Sequence, residues 1–397
     1  MIFYLASIFL FAVVSAIPSG RVDVVFPSVL TSRSGVKTVK FRALNEEIDL
    51  KLEPAGEILA NNFALVDQRS NSIDVADLKR RIYRDRANGA ALLINEDGPV
   101  TIQGIVNSKF RIEPYESGRM AEDGKVPHKI VEVIDDKKSF MHDGVMRMNA
   151  NEEMEKVSRI TRDDKCIVVE CLVVTERAFT KRFKTVKALT EYVTVMYTGV
   201  QNLIDTLELG IQVRLLGIEA FTKETEPPYV DESAIPGHEQ NLNPFNLVAN
   251  MAKYYCNYAT GLAKDADMIM LLVTRKLGEL QDDGTVLNDY AGMAYEGTVC
   301  NKCYKVGLSQ DDSDYNERVD TVAHESSHIL GSPHDGDPSK VAGNPGSLDC
   351  PQSGGYIMGD RSDPVNRYKF SPCSKKSVKY ILSQPGASCV YETCGFY

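Results

Sequence analysis

Residues 321–335, TVAHESSHILGSPHD, hold three of the chain's six histidines, His324, His328 and His334, and a glutamate, Glu325, beside the first. Four residues on a helix turn through about 400° and rise about 6 Å. His324 and His328 therefore share a face and can reach one ion at about 2.0–2.1 Å. Glu325 lies about 100° further round, in reach of a metal-bound water without being a ligand. Gly331 stands where a positive-φ residue ends a helix, so the chain can turn back and deliver His334. Three protein ligands leave a fourth position open, the mark of a catalytic zinc site. Average residue usage would produce HExxHxxGxxH by chance in about one chain in 10⁵.

HESSHILGSPHD resembles the HExxHxxGxxHD signature of metzincin endopeptidases, and Asp335 points to the adamalysin (reprolysin) branch, which includes snake-venom metalloproteases and ADAM proteins. That family carries a methionine turn downstream. Here Tyr356-Ile357-Met358-Gly359 places Met358 in that role, with Tyr356 where the family usually has cysteine.

The resemblance implies several further roles. Gly292, Met293 and Ala294 would form an antiparallel edge strand that pairs with an extended peptide substrate. Met358 would form an apolar floor under the metal, Asp335 would be structural, and residues 359–371 would shape the pocket after the scissile bond. A Ca²⁺ site would use Glu170, Asp265 and Glu392, the last departing from the family's asparagine; three solvated carboxylates is the competing reading. Disulfides would join Cys300 to Cys389 and Cys350 to Cys373.

The surrounding chain must position these groups. Its 397 residues, 43% hydrophobic and 25% charged, suit a two-domain globular protein. Net charge is −10, with no basic stripe to bind nucleic acid. The apolar start, residues 1–16, ends in Val14-Ser15-Ala16 and reads as a signal peptide, too short to span a bilayer comfortably. No later apolar run reaches membrane length, so a secreted, extracellular, monomeric protein is expected.

All nine cysteines lie at or beyond Cys166, which suggests that only the second region is stapled for an oxidising compartment. Nine is odd, leaving at least one thiol unpaired within the chain. Cys166 and Cys171 on one strand would sit roughly 16 Å apart, too far to join. Cys171, Cys256, Cys303 and Cys394 receive no pairing.

Residues 17–162 alternate like strands, as in Ile48-Asp49-Leu50-Lys51-Leu52, and within them the stretch from Tyr83 to about Tyr115 loosely resembles part of an adamalysin-type propeptide, one that ends in a segment like Ile112-Glu113-Pro114. A polar linker over 147–165 includes Arg159-Ile160-Thr161-Arg162, a minimal site for a processing protease. The catalytic domain would then run from 163 to 397. There, strands over 166–174, 211–220, 268–273 and 291–295 alternate with helices over 183–207, 244–261 and 374–383, and a zinc helix starts near Tyr315. This βαβαβ order predicts a mostly parallel sheet covered by helices, the α/β catalytic domain of a metzincin behind a β-rich propeptide.

The expected function is a secreted zinc endopeptidase made as a zymogen, with Glu325 as general base, cutting extracellular matrix or plasma proteins. A zinc-containing binding protein and a hydrolase of non-peptide amides are the alternatives. No disintegrin or membrane-anchoring module follows in this sequence. Latency cannot use a propeptide cysteine, since residues 17–162 contain none. Steric cover along the strand near Gly292 is the expected device; His128 and His142 are alternative ligands.

Overall fold

The computed structural model describes residues 20–66, 73–116, 120–121, 123–133, 142–148 and 165–394. The apolar leader and the Arg159/Arg162 segment lie outside the described residues. No helix among the described residues is long and apolar enough to cross a membrane.

Two sheets sandwich one long helix. The first has nine strands, all antiparallel, drawn from Val22–Glu132. Its period-two alternation serves two cores. Ala90, Leu92 and Ile94 pack with Phe41, Leu50 and Phe110 on one face. Ala91, Leu93 and Ile105 join the large core around helix Val186–Ile204 on the other. The N-terminal region is thus fused to the second region through a shared core. Arg81 to Glu191 and Arg84 to Asp205, both at 2.8 Å, fasten the rim of that contact.

Helix Val186–Ile204 is capped by Thr185, whose side chain accepts from the Ala188 amide. The sequence suggests one apolar stripe, yet the helix is buried almost all round because a sheet covers each side. Its three buried threonines are satisfied locally. The hydroxyls of Thr190, Thr194 and Thr198 each donate to the carbonyl four residues back, at 2.7–2.9 Å.

The second sheet has eleven strands along its main path and branches. Its centre is parallel: Ile211–Ala220, Lys165–Thr175, Met268–Val273 and Val306–Gln310 lie side by side. These strands are almost continuous apolar runs, as sheets covered on both faces require.

The expected single antiparallel edge is corrected in three respects. Strand Val286–Tyr295 is antiparallel to Val306–Gln310, but it is ten residues long and not an edge. Its first half pairs antiparallel with Lys276–Leu280, across a turn in which Gly284 has φ +82°. Its second half pairs in parallel with His142–Met146 from the N-terminal region. At the far side, Leu59–Val66, also N-terminal, lies parallel to Ile211–Ala220. Over the whole chain antiparallel ladders outnumber parallel ones, because the first sheet is antiparallel throughout.

Four disulfides staple the second region: Cys166–Cys394, Cys256–Cys303, Cys300–Cys389 and Cys350–Cys373. Cys171 is the free thiol, and burial pushes its pKa well up.

Candidate metal centre

The site helix spans Val319–Ile329, and all of its residues are buried. It starts later than the sequence suggests. Asn316 takes a left-handed φ of +52°, and its amide donates to the Tyr192 hydroxyl at 3.1 Å, so Tyr315–Arg318 forms a shoulder rather than a first turn. Gly331 ends the helix with φ +104°. A Cβ there would lie 2.1 Å from Ile381 Cγ1, so glycine is needed both for the turn and for space. The turn carries His334 back to the helix.

The Nε2 atoms of His324, His328 and His334 converge, at 3.0 Å between His324 and His328 and 3.2 Å for the other pairs. A tetrahedron with metal–nitrogen bonds of about 2.0–2.1 Å has neighbouring nitrogens about 3.3–3.4 Å apart. The Nδ1 atoms are engaged elsewhere. His324 Nδ1 meets the Ile357 carbonyl at 2.9 Å, and His328 Nδ1 meets the Ser332 carbonyl at 2.7 Å. Since a carbonyl only accepts, both Nδ1 atoms carry the proton and both Nε2 atoms present lone pairs. Burial lowers the pKa of both rings, of His328 to about 3, which keeps them neutral. Neutral imidazoles with converging lone pairs fit a divalent metal and nothing apolar.

Glu325 is fully buried, and among the described residues neither carboxylate oxygen has a hydrogen-bond partner. Burial, with the nearby Asp143 charge adding to it, pushes its pKa well up. The carboxylate lies against Gly292 of the cleft strand, where a Cβ would fall 2.4 Å from Oε1. The strand's glycine thereby makes the space in which Glu325 sits beside the histidines. Met293 and Ala294 follow in the same strand, fully buried.

The turn at Met358 supports the centre from beneath. Ser327 donates to Met358 Sδ at 2.9 Å, and the Asp335 amide donates to the Met358 carbonyl at 2.8 Å. Asp335 accepts from Ser371 Oγ at 2.6 Å, which ties the third histidine's loop to the cap of helix Pro372–Leu382. Asp335 is therefore a structural link. Burial raises its pKa to about 6.

The calcium set does not assemble. Arg214 Nη1 stands 2.9 Å from Glu392 and 3.5 Å from Glu170, supplying the positive charge a cation would bring. Asp265 is exposed and belongs to no metal-capable cluster among the described residues. His128 is not a ligand either. Its Nε2 accepts from the Ile102 amide at 2.9 Å, and Nδ1 faces the Val126 carbonyl, inside the first sheet. His142 begins the strand laid on Tyr290.

One residue of this centre was not anticipated. Asp143, next to His142, closes the cluster with His324, His328 and His334. Its sequence context, HDGVM, resembles any short strand with a turn, and only the long-range pairing reveals it.

Comparison with known proteins gives the family. Residues 167–371 match the reprolysin-type model described as Metallo-peptidase family M12. The chain is 60% identical to the venom metalloproteinase antarease TserMP_A of Tityus serrulatus, over 99% of both chains. It is 59% identical to the antarease-like TtrivMP_A of Tityus trivittatus, again over 99% of both. It is 39% identical to venom metalloproteinase BumaMPs1 of Olivierus martensii, over 98% of this chain and 97% of that one. The chain belongs to the reprolysin-type M12 metallopeptidases and is a metalloendopeptidase that acts on peptide or protein substrates.

Proposed function

We propose that this protein is a secreted zinc endopeptidase, made as an inactive precursor and released as a venom component that cuts extracellular proteins such as those of matrix or plasma. The observation that carries the reading is the pairing of converging imidazole lone pairs with an unpartnered, buried Glu325 carboxylate. His324, His328 and His334 would hold the zinc. When bound, zinc supplies Lewis acidity and lowers the pKa of a coordinated water towards about 7. Among the described residues Glu325 has no competing hydrogen bond, so its carboxylate is free to take the proton of the attacking water and pass it to the leaving amine. Gly292, Met293 and Ala294 would offer backbone groups to an extended substrate once His142–Met146 has left. Met358, bonded to the site helix, fixes the height of the histidines. Calcium has no part in this reading, because Arg214 already pairs with Glu170 and Glu392.

In this reading residues 1–16 are the signal peptide, 17–162 the propeptide and 163–397 the catalytic domain, which acts as a monomer. Cleavage after Arg162, in the motif with Arg159, gives a product that begins at Asp163. N-terminal sequencing of the secreted protein tests that boundary. Glu325→Ala tests the chemistry: it should keep one zinc per chain and lose about 10²–10⁴ in rate on a protein substrate. Near-wild-type cleavage by that variant, or full cleavage after zinc is stripped, refutes the reading.

A further inference from the structure

We propose that Asp143 is the fourth zinc ligand of the uncleaved precursor, so that the N-terminal region holds the enzyme latent through a carboxylate–metal bond. The inference rests on the zinc reading above and adds a residue to it.

Asp143 Oδ2 lies against His324 Nε2 and 3.4 Å from His328 Nε2, while Oδ1 lies 2.8 Å from His334 Nε2. One ligand atom from each of the four residues falls within 4.8 Å of every other. Hydrogen bonding alone does not account for this cluster. With protons on Nδ1, His324 and His328 offer only lone pairs at Nε2, and an ionised carboxylate also offers only lone pairs. Acceptors facing acceptors in a buried site repel unless a cation lies between them. Three imidazoles and one carboxylate make a closed four-ligand zinc set, and zinc accepts carboxylate oxygen at about 2.0–2.2 Å.

The backbone is arranged to deliver this side chain. The ladder pairs His142 with Tyr290 and Gly144 with Met293, so the register slips at Asp143. Two cleft-strand residues, Ala291 and Gly292, stand opposite that one residue. Such a bulge re-aims a side chain out of the regular alternation, here toward the histidines. The segment is held just after Asp143. The Glu296 amide donates to the Met146 carbonyl at 3.1 Å, and Lys340 Nζ donates to the Val145 carbonyl. A carboxylate placed there takes the position that the attacking water needs. The same strand occupies the backbone groups of Gly292–Tyr295 that a substrate would use. Steric cover and metal ligation are therefore two effects of one strand.

The test uses the full-length precursor carrying Arg159→Ala and Arg162→Ala, so that the strand stays attached, loaded with Co(II) in place of zinc. Asp143→Cys is added in one protein and Asp143→Ala in another. The cysteine variant should show a thiolate-to-cobalt charge-transfer band in the near ultraviolet. Its background is clean, since eight cysteines are in disulfides and Cys171 is buried. Titration with azide should shift the visible cobalt spectrum of Asp143→Ala, whose fourth position is open, and leave the Asp143 precursor unchanged. One cobalt bound with no sulfur band in Asp143→Cys overturns the proposal, as does an equal azide response with and without Asp143. If the cysteine variant does not fold, the azide comparison decides. Failure of every form to take up one cobalt overturns the zinc reading as well, a result distinct from a metal that is bound without Asp143.

Discussion

Gly292 should be a functional position although it carries no side chain. The perturbation is Gly292→Ala in the processed enzyme. The backbone at Gly292 does not need glycine for its φ, which lies outside the left-handed region. The space does. A Cβ would stand 2.4 Å from Glu325 Oε1 and 2.7 Å from both Cδ and Cγ, where ordinary contact begins at 3.4 Å. The glutamate must therefore move by about 1 Å, and misplacement of that size costs about 10²-fold in rate, or about 2.7 kcal/mol of transition-state stabilisation. The backbone groups that a substrate strand would pair with are untouched, so KM should change little while kcat falls. Steady-state cleavage of a quenched fluorescent peptide gives both constants, and metal analysis should still find one zinc. Wild-type kcat in Gly292→Ala, with Glu325→Ala inactive in the same assay, would refute the argument that this glycine seats the base.

The four disulfides should be recovered by mass mapping of a non-reduced digest, and serine at both Cys300 and Cys389 should cost about 2–5 kcal/mol. Any other partner for either cysteine contradicts the structure. Cys171 should resist alkylation in the native protein and react on unfolding, since it is buried with a raised pKa. Burial raises the pKa of Asp311 to about 6, against the opposing pull of Arg182 and the Tyr192 hydroxyl; an unfolded aspartate titrates near about 3.9. Between those values the folded state holds more protons than the unfolded one, so this residue lowers stability as pH rises through that window. Asp311→Asn should flatten the fall in denaturant midpoint between about pH 4 and 6, and parallel curves for the two proteins would show that Asp311 titrates normally.

The parts of the centre that lie close together in sequence were legible there. Helical rotation alone puts His324 and His328 on one face, and Gly331 announces the turn that brings His334. A short unbroken apolar run likewise marks Met268–Val273 as a buried strand. What the sequence concealed depends on contacts between distant segments. Arg214 between Glu170 and Glu392 carries no local signal, so the sequence left the calcium set implied by the family resemblance standing beside the reading of three solvated carboxylates. Cys166 and Cys394 are 228 residues apart, and only the pairing of Tyr391–Thr393 with Lys165–Ile167 brings them together. The hairpin before Gly292 did leave a trace, Asp283-Gly284 between two short runs, of the kind that favours tight turns. Asp143 left none. It is one residue from His142, yet an aspartate in a short strand has no spacing rule to single it out.

The N-terminal region also lends strands to both margins of the second sheet, Leu59–Val66 at one end and His142–Met146 near the other. Were the proposed cut after Arg162 made, it would sever the tether but break neither ladder. The two pieces would then persist as a complex governed by a dissociation constant, where before they faced each other at about the millimolar effective concentration typical of short linkers. Activation would accordingly be a two-stage event, hydrolysis followed by dilution. Protein stored at high concentration would stay silent after processing and become active on dispersal into a large volume. The departing piece would also uncover Ile211–Ala220, a long apolar strand with an unpaired margin, which invites association with other chains.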